Sequence, residues 1–390
     1  MNPSDIKNRL VSESIVCLHK SETCFHISTL KIDDPEIGYY IFETIPGHVS
    51  YGGIKKFPTL DAATEHFQRV KELDAKYVLK PEGQLCRNNV KENEDRYMLR
   101  YMCVFETLDD WRNNFHQNQR SDDDLLDMYN KIGGLLKYRY DQTGCFCGGA
   151  IGDNIFKNII ITDDKNVLFL NWPPTLAKKK FKNEIRTLRY LVQELNKLAT
   201  SSRFESFVTF LTKFILVNPQ PPTEMGRWLF HYPALFMNEQ QGVRFLESVN
   251  KILCDKRTGV SVSKEFILVQ RDFDNWQTDV VSSGDIALIQ TLRFNGGRNY
   301  NSVFQGIDLP KFGWNCVKHY SQNAAGLNLP ELTQVEIVRM LNMTHFQHFM
   351  ETSFEGIYQC MLDIATRGTS SNHLYSPLQI LDMLVGGRWL

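Results

Sequence analysis

Two sets of residues have the types and spacing that phosphate chemistry needs. In the first, Asp153 and Asn158 stand five residues apart, Asn171 follows beyond an apolar hairpin, and Lys55 and Glu65 lie far upstream. A carboxylate in such a loop can orient an acceptor hydroxyl, while an amide can hold magnesium near phosphates. A lysine steadied by a glutamate can meet the phosphate oxygens. In the second set, Asn315 and His319 are four apart and Asp308 precedes Asn315 by seven, so all three share one face of a helix. An imidazole and an amide beside Tyr300 suit RNA transesterification. There the ribose 2′-hydroxyl attacks phosphorus, an acid protonates the leaving 5′-oxygen, and donors stabilise the phosphorane charge. Imidazole is the natural acid near neutral pH, and no metal is required.

The elements that must position these residues can be read from periodicity. Strands are expected over 24–31, 38–45 and Tyr97–Phe105, with Lys55 on a further run from His48 to Phe57. Ala63, Phe67, Val70 and Leu73 mark a helix that carries Glu65. From about residue 121 the pattern turns helical, with Leu125, Met128, Tyr129, Ile132 and Leu136 in one stripe. Two short strands, Ile159–Ile161 and Val167–Leu170, flank the turn at 163–166. Helices are expected over 180–217, and Asn218-Pro219-Gln220-Pro221-Pro222 is a candidate boundary. Helical spacing returns at 239–254, 284–294 and 331–364. No internal repeat is present, so solenoids and propellers are excluded.

The 390 residues allow two or three domains. With 42% hydrophobic and 23% charged residues, wholesale disorder is excluded. The 44 Lys+Arg against 45 Asp+Glu exclude a general polyelectrolyte binder. Residues 225–365 hold 12 Lys+Arg and 14 Asp+Glu, so RNA affinity there would have to come from a local site. Nine scattered cysteines without framework spacing point to reduced thiols, in the cytoplasm or the nucleus. Cys145 and Cys147 have no second Cys/His pair nearby to complete a zinc site, so no metal centre is expected. No apolar stretch approaches the ~20 residues of a bilayer span, so no membrane association is expected.

The order of motifs adds a family. Gly152-Asp153-Asn154-Ile155-Phe156-Lys157-Asn158, the hairpin that ends at Asn171-Trp172, and the upstream Ile54-Lys55-Lys56-Phe57 resemble a protein-kinase domain. After them come Phe273-Asp274-Asn275-Trp276-Gln277-Thr278, Arg298-Asn299-Tyr300 and the stretch from Asp308 to Tyr320. This order resembles the kinase-extension nuclease (KEN) domain of the family of ribonuclease L and the unfolded-protein-response sensor kinase-ribonuclease. The resemblance implies an α+β chain: a two-lobed protein-kinase-like fold followed by an all-α nuclease domain. Its implied divisions are an N-lobe at 1–108, a reduced C-lobe at 109–225, the nuclease-like domain at 226–365 and a tail at 366–390.

By the same resemblance, His319 is the general acid, Tyr300 activates or positions the nucleophile, and Asn315 holds the phosphate. Asp308, Trp276, Trp314 and Tyr320 support that site. Lys55, Glu65, Asp153, Asn158 and Asn171 form a degenerate nucleotide cleft that could take ATP or ADP with magnesium. RNA cleavage itself needs no cofactor. The implied partners are RNA and a second copy, or a related protein in a heterodimer, with no DNA.

Several departures point to a pseudokinase. The glycine loop is replaced by Lys31-Ile32-Asp33-Asp34-Pro35-Glu36-Ile37-Gly38, and Ile151-Gly152-Asp153 stands where His-Arg-Asp is usual. Asn171 replaces a metal-binding aspartate. In the nuclease-like part, Trp314 stands where the family has arginine, and Pro310 and Gly313 interrupt the helix pattern, Pro310 being acceptable if Asp308 is the N-cap. Two functions therefore remain open: a regulated endoribonuclease, or a catalytically degenerate scaffold that dimerises with a partner and modulates it.

Overall fold

The computed structural model describes residues 28–30, 37–45, 48–81, 85–87, 97–145, 154–172, 181–217, 229, 231–235, 239–254, 276–293, 305–341 and several positions between 351 and 358. The chain forms two compact units, Met1–Thr200 and Ser201–Leu390. The first is mixed α/β.

Its larger sheet has five antiparallel strands in the order β1-β2-β3-β5-β4: β1 (Ser28–Leu30), β2 (Ile37–Ile45), β3 (His48–Phe57), β4 (Leu85–Arg87) and β5 (Tyr97–Tyr101). Register places Gly53 opposite Tyr101 and Lys55 opposite Leu99. Paired residues share a face, so the odd-numbered face of β3 lies over the buried cluster of Phe57, Leu99, Tyr101, Val104 and Phe105.

Helix α1 (Leu60–Lys71) follows β3 and starts where the Thr59 hydroxyl accepts from Ala62 N at 3.1 Å. Ala63, His66 and Val70 form its buried stripe, and Phe67 packs beside the same cluster, while Leu73 falls beyond the helix end.

The strand expected over Tyr97–Phe105 is divided. β5 ends at Tyr101, and β6 (Phe105–Thr107) joins a separate antiparallel sheet with β7 (Ile159–Thr162) and β8 (Val167–Phe169). The division follows from side-chain demand: Phe105 gains a fully buried place by pairing with Thr162, whereas Met102 stays half exposed at 51%. The short α2 (Leu108–Asn113) comes next. Then α3 (Asp122–Thr143) opens on a Ser121/Asp124 capping box and ends at Gly144, whose φ of 69° suits glycine. All five residues of the expected α3 stripe are buried. A single turn, α4 (Asn154–Asn158), leads into β7, and α5 (Phe181–Asn196) completes the unit.

The described part of the second unit contains helices and no strand: α6 (Glu205–Val217), α7 (Glu239–Cys254), α8 (Trp276–Ser282), α9 (Ile286–Arg293), α10 (Gln305–Ala325) and α11 (Gln334–Met340). The two compact units divide at Thr200/Ser201. Helix α6 carries an aromatic face for its own unit, with the Phe210 ring 4.9 Å from Tyr232 and 5.2 Å from Tyr358. Such rings anchor a helix where they are buried. Among the described residues, no helix is long and apolar enough to cross a membrane.

Candidate functional sites

Lys55 lies on the core face of β3 and is buried, with its ammonium 5.2 Å from the Phe57 ring centre. The sequence reading pairs it with Glu65, and the structure corrects this. The Glu65 side chain is 69% exposed and bonds Arg69 at 2.5 Å. One residue further along a helix turns a side chain by about 100°, so with Ala63, His66 and Val70 facing inward Glu65 faces out. His66 takes the inward place and packs 5.2 Å from Phe57. Burial, with the positive charges of Lys55 and Arg69 added, lowers its imidazole to about 3, so it is neutral at physiological pH.

Arg69 reaches further. Its guanidinium donates to the Trp172 carbonyl at 2.8 Å and ties α1 to the chain just past β8. The Trp172 ring is buried against Phe169, and the buried Arg139 guanidinium lies 4.7 Å from its centre.

Asn158 and Asn171 do come together. The Asn171 amide donates to the Asn158 side-chain carbonyl, and Leu170 N donates to the Asn158 backbone carbonyl at 2.8 Å. Neither residue offers a carboxylate, and the Asn158 side-chain oxygen accepts from Asn171. Among the described residues, no cluster of three His, Cys, Asp or Glu side chains is placed to hold a metal. Asp153 lies outside the described residues.

Near the β6–α2 junction, Glu106 is buried and bonded to Arg120 at 2.9 Å. Burial raises its carboxyl to about 7, against the opposing pull of Arg120.

In the second unit, α10 runs unbroken from Gln305 to Ala325. Asp308 is thus inside the helix and is not its N-cap, and Pro310 is accommodated in the interior. Asn315 and His319 are both half-buried and one helical turn apart, with Trp314 half-buried beside them. His319 Nδ1 lies 3.2 Å from Gln322 Oε1, an acceptor that favours the Nδ1–H tautomer and leaves Nε2 for proton exchange.

Tyr320 is buried and donates to Asp285 at 3.3 Å; burial and that carboxylate push the phenol up to about 12. Asp285 also caps α9 by accepting from Leu288 N at 2.9 Å, and Asn323 donates to Thr291 at 2.8 Å. These bonds fix α10 against α9 and so hold the His319 turn in place. Tyr300 lies outside the described residues, as do the side chains of Asp308 on α10 and Trp276 at the start of α8. Sequence reasoning missed His66, Arg69, Phe105 and Gln322. Only the Glu65/Arg69 spacing of four carried a signal for any of them.

No protein-family model matches this chain, and no curated protein sequence matches it. Three solved structures of the PknI kinase domain of Mycobacterium tuberculosis are similar to it at 13–14% identity. The matches cover 54–58% of this chain and 78–92% of those chains, each with a TM-score of 0.28. The likeness to a protein-kinase fold is therefore weak and partial.

Proposed function

We propose that the second unit is a metal-independent endoribonuclease of the kinase-extension type, cleaving single-stranded or loop RNA, and that the first is a pseudokinase that regulates it through dimerisation. The observation that carries this reading is the placement of Asn315 and His319 one turn apart on the half-buried face of α10. His319 protonates the leaving 5′-oxygen, the Asn315 amide donates to the phosphate, and Tyr300 positions the attacking 2′-hydroxyl. The test is cleavage of a labelled RNA in EDTA. A general acid contributes roughly 100-fold or more, so His319→Ala should lose at least about 100-fold in rate. Equal rates for the two proteins would remove His319 from the mechanism.

A second reading has its own support. Trp314 cannot supply the bidentate charge of arginine, and the bonded Asn158/Asn171 pair has no anionic ligand for a metal. Both favour a degenerate pseudokinase and pseudonuclease that acts as a scaffold for a partner. Cleavage that appears only in a Trp314→Arg variant would select this reading.

A further inference from the structure

Helix α10 has two unlike faces. Phe312, Cys316 and Tyr320 are buried, and Tyr320 bonds Asp285 on that side. The other side carries Lys311, Trp314, Asn315, Lys318 and His319, all exposed or half-buried. At about 100° per residue, Lys311, Trp314 and Lys318 fall within about 60° of one another around the helix, and the two lysines stand about 10 Å apart along it. Asn315 and His319 border the same strip.

The charge of this strip has one sign. Leu309 to Pro330 contains no Asp or Glu. Among the described lysines of the second unit, Lys213 pairs with Glu355 at 3.5 Å and Lys251 with Glu247 at 3.0 Å. No described carboxylate pairs with Lys311 or Lys318. Trp314 is set apart as well. Trp111 and Trp172 are buried with ring neighbours, whereas Trp314 is half-buried and meets no ring among the described residues. Cations on either side of an open indole match a single-stranded nucleic acid, whose backbone repeats a negative charge and whose unstacked bases offer π-faces. An acidic peptide would satisfy the lysines but leave the indole with nothing to stack on.

We propose that the Lys311–Trp314–Lys318 strip of α10 binds single-stranded RNA, with both ammonium groups on backbone phosphates and the indole stacked on a base. This rests on the reading of the second unit as a nuclease, and it supplies the local cation density that the near-neutral chain as a whole lacks. Because Lys318 precedes His319, the strand it holds runs past the imidazole and the Asn315 amide.

The experiment follows the fluorescence anisotropy of a short labelled 2′-O-methyl RNA mixed with the full chain. The probe lacks the attacking 2′-hydroxyl, so binding is read apart from cleavage. Each phosphate contact on a single strand adds about −0.7 to the slope of log K against log salt, so wild type should give about −1.4 or steeper. Lys311→Gln and Lys318→Gln should each make the slope shallower by about 0.7, while Lys318→Arg should keep it. Trp314→Leu, which leaves an apolar side chain in place, should weaken binding at least about fivefold and leave the slope unchanged. No binding by wild type, unchanged slopes in the lysine variants, or equal competition by polyglutamate would overturn the proposal. Unmodified RNA incubated with the same proteins in EDTA separates the two readings. Cleavage without this binding pattern would overturn the present proposal alone, whereas the binding pattern without cleavage would uphold it and remove the nuclease reading.

Discussion

The side-chain amide of Asn171 donates to the side-chain carbonyl of Asn158, so the two positions where the sequence anticipates metal ligands bind each other. Asn171→Ala would leave a half-buried carbonyl without its donor, at a cost of about 1–2 kcal/mol. Denaturant unfolding should show Asn158→Ala and the double variant costing little more, because each removes the same bond.

Arg69, not Glu65, ties α1 to the chain beyond β8. Glu65→Ala removes an exposed ion pair and should cost about 0–1 kcal/mol. Arg69→Met keeps much of the aliphatic packing but loses the bond to the Trp172 carbonyl, and should cost about 1.5–3 kcal/mol. The reverse order would restore Glu65 as the anchoring residue of α1.

Two buried groups give stability opposite pH dependences. His66 falls from 6.5 to about 3 in the native state, so between those values the unfolded chain binds more protons and stability rises with pH. Glu106 rises from 4.5 to about 7, so in that window the native state binds more protons and stability falls as pH rises. Urea titrations should show His66→Gln losing less stability than wild type between pH 7 and 4. Glu106→Gln, compared with wild type, should fare better at pH 8 than at pH 5. Parallel profiles for all three proteins would contradict both assignments.

Gln322 should set the tautomer of His319. Nitrogen–proton correlation spectra of wild type should report the Nδ1–H form, and Gln322→Ala should convert it to a mixture. An unchanged spectrum would show that the contact does not control the ring.

The legible parts of the fold were those set by local pattern. The α3 stripe, the β7–β8 hairpin and the α1 helix follow from apolar spacing, and the hairpin turn from its polar residues. What could not be read depends on where distant residues meet. Tyr97–Phe105 looks like one strand because every residue in it suits a strand, and only the burial available beside Thr162 divides it. Glu65 and His66 are neighbours in sequence, and the direction of α1's buried stripe decides which one faces Lys55. Asn158 and Asn171 were both identified, but their bond to each other depends on how α4 and β8 pack. In the second unit, the helix bearing Asn315 and His319 is expected with Asp308 as its N-cap, whereas its start at Gln305 is not.

The most direct measurement is the chemistry of the RNA ends. Wild-type protein incubated in EDTA with an RNA should yield fragments ending in a 2′,3′-cyclic phosphate by mass spectrometry, and a 2′-deoxy substitution at the cleaved position should abolish the product. His319→Ala should give none above background. Intact RNA with wild type, or equal yields of the same ends from His319→Ala, would contradict the account.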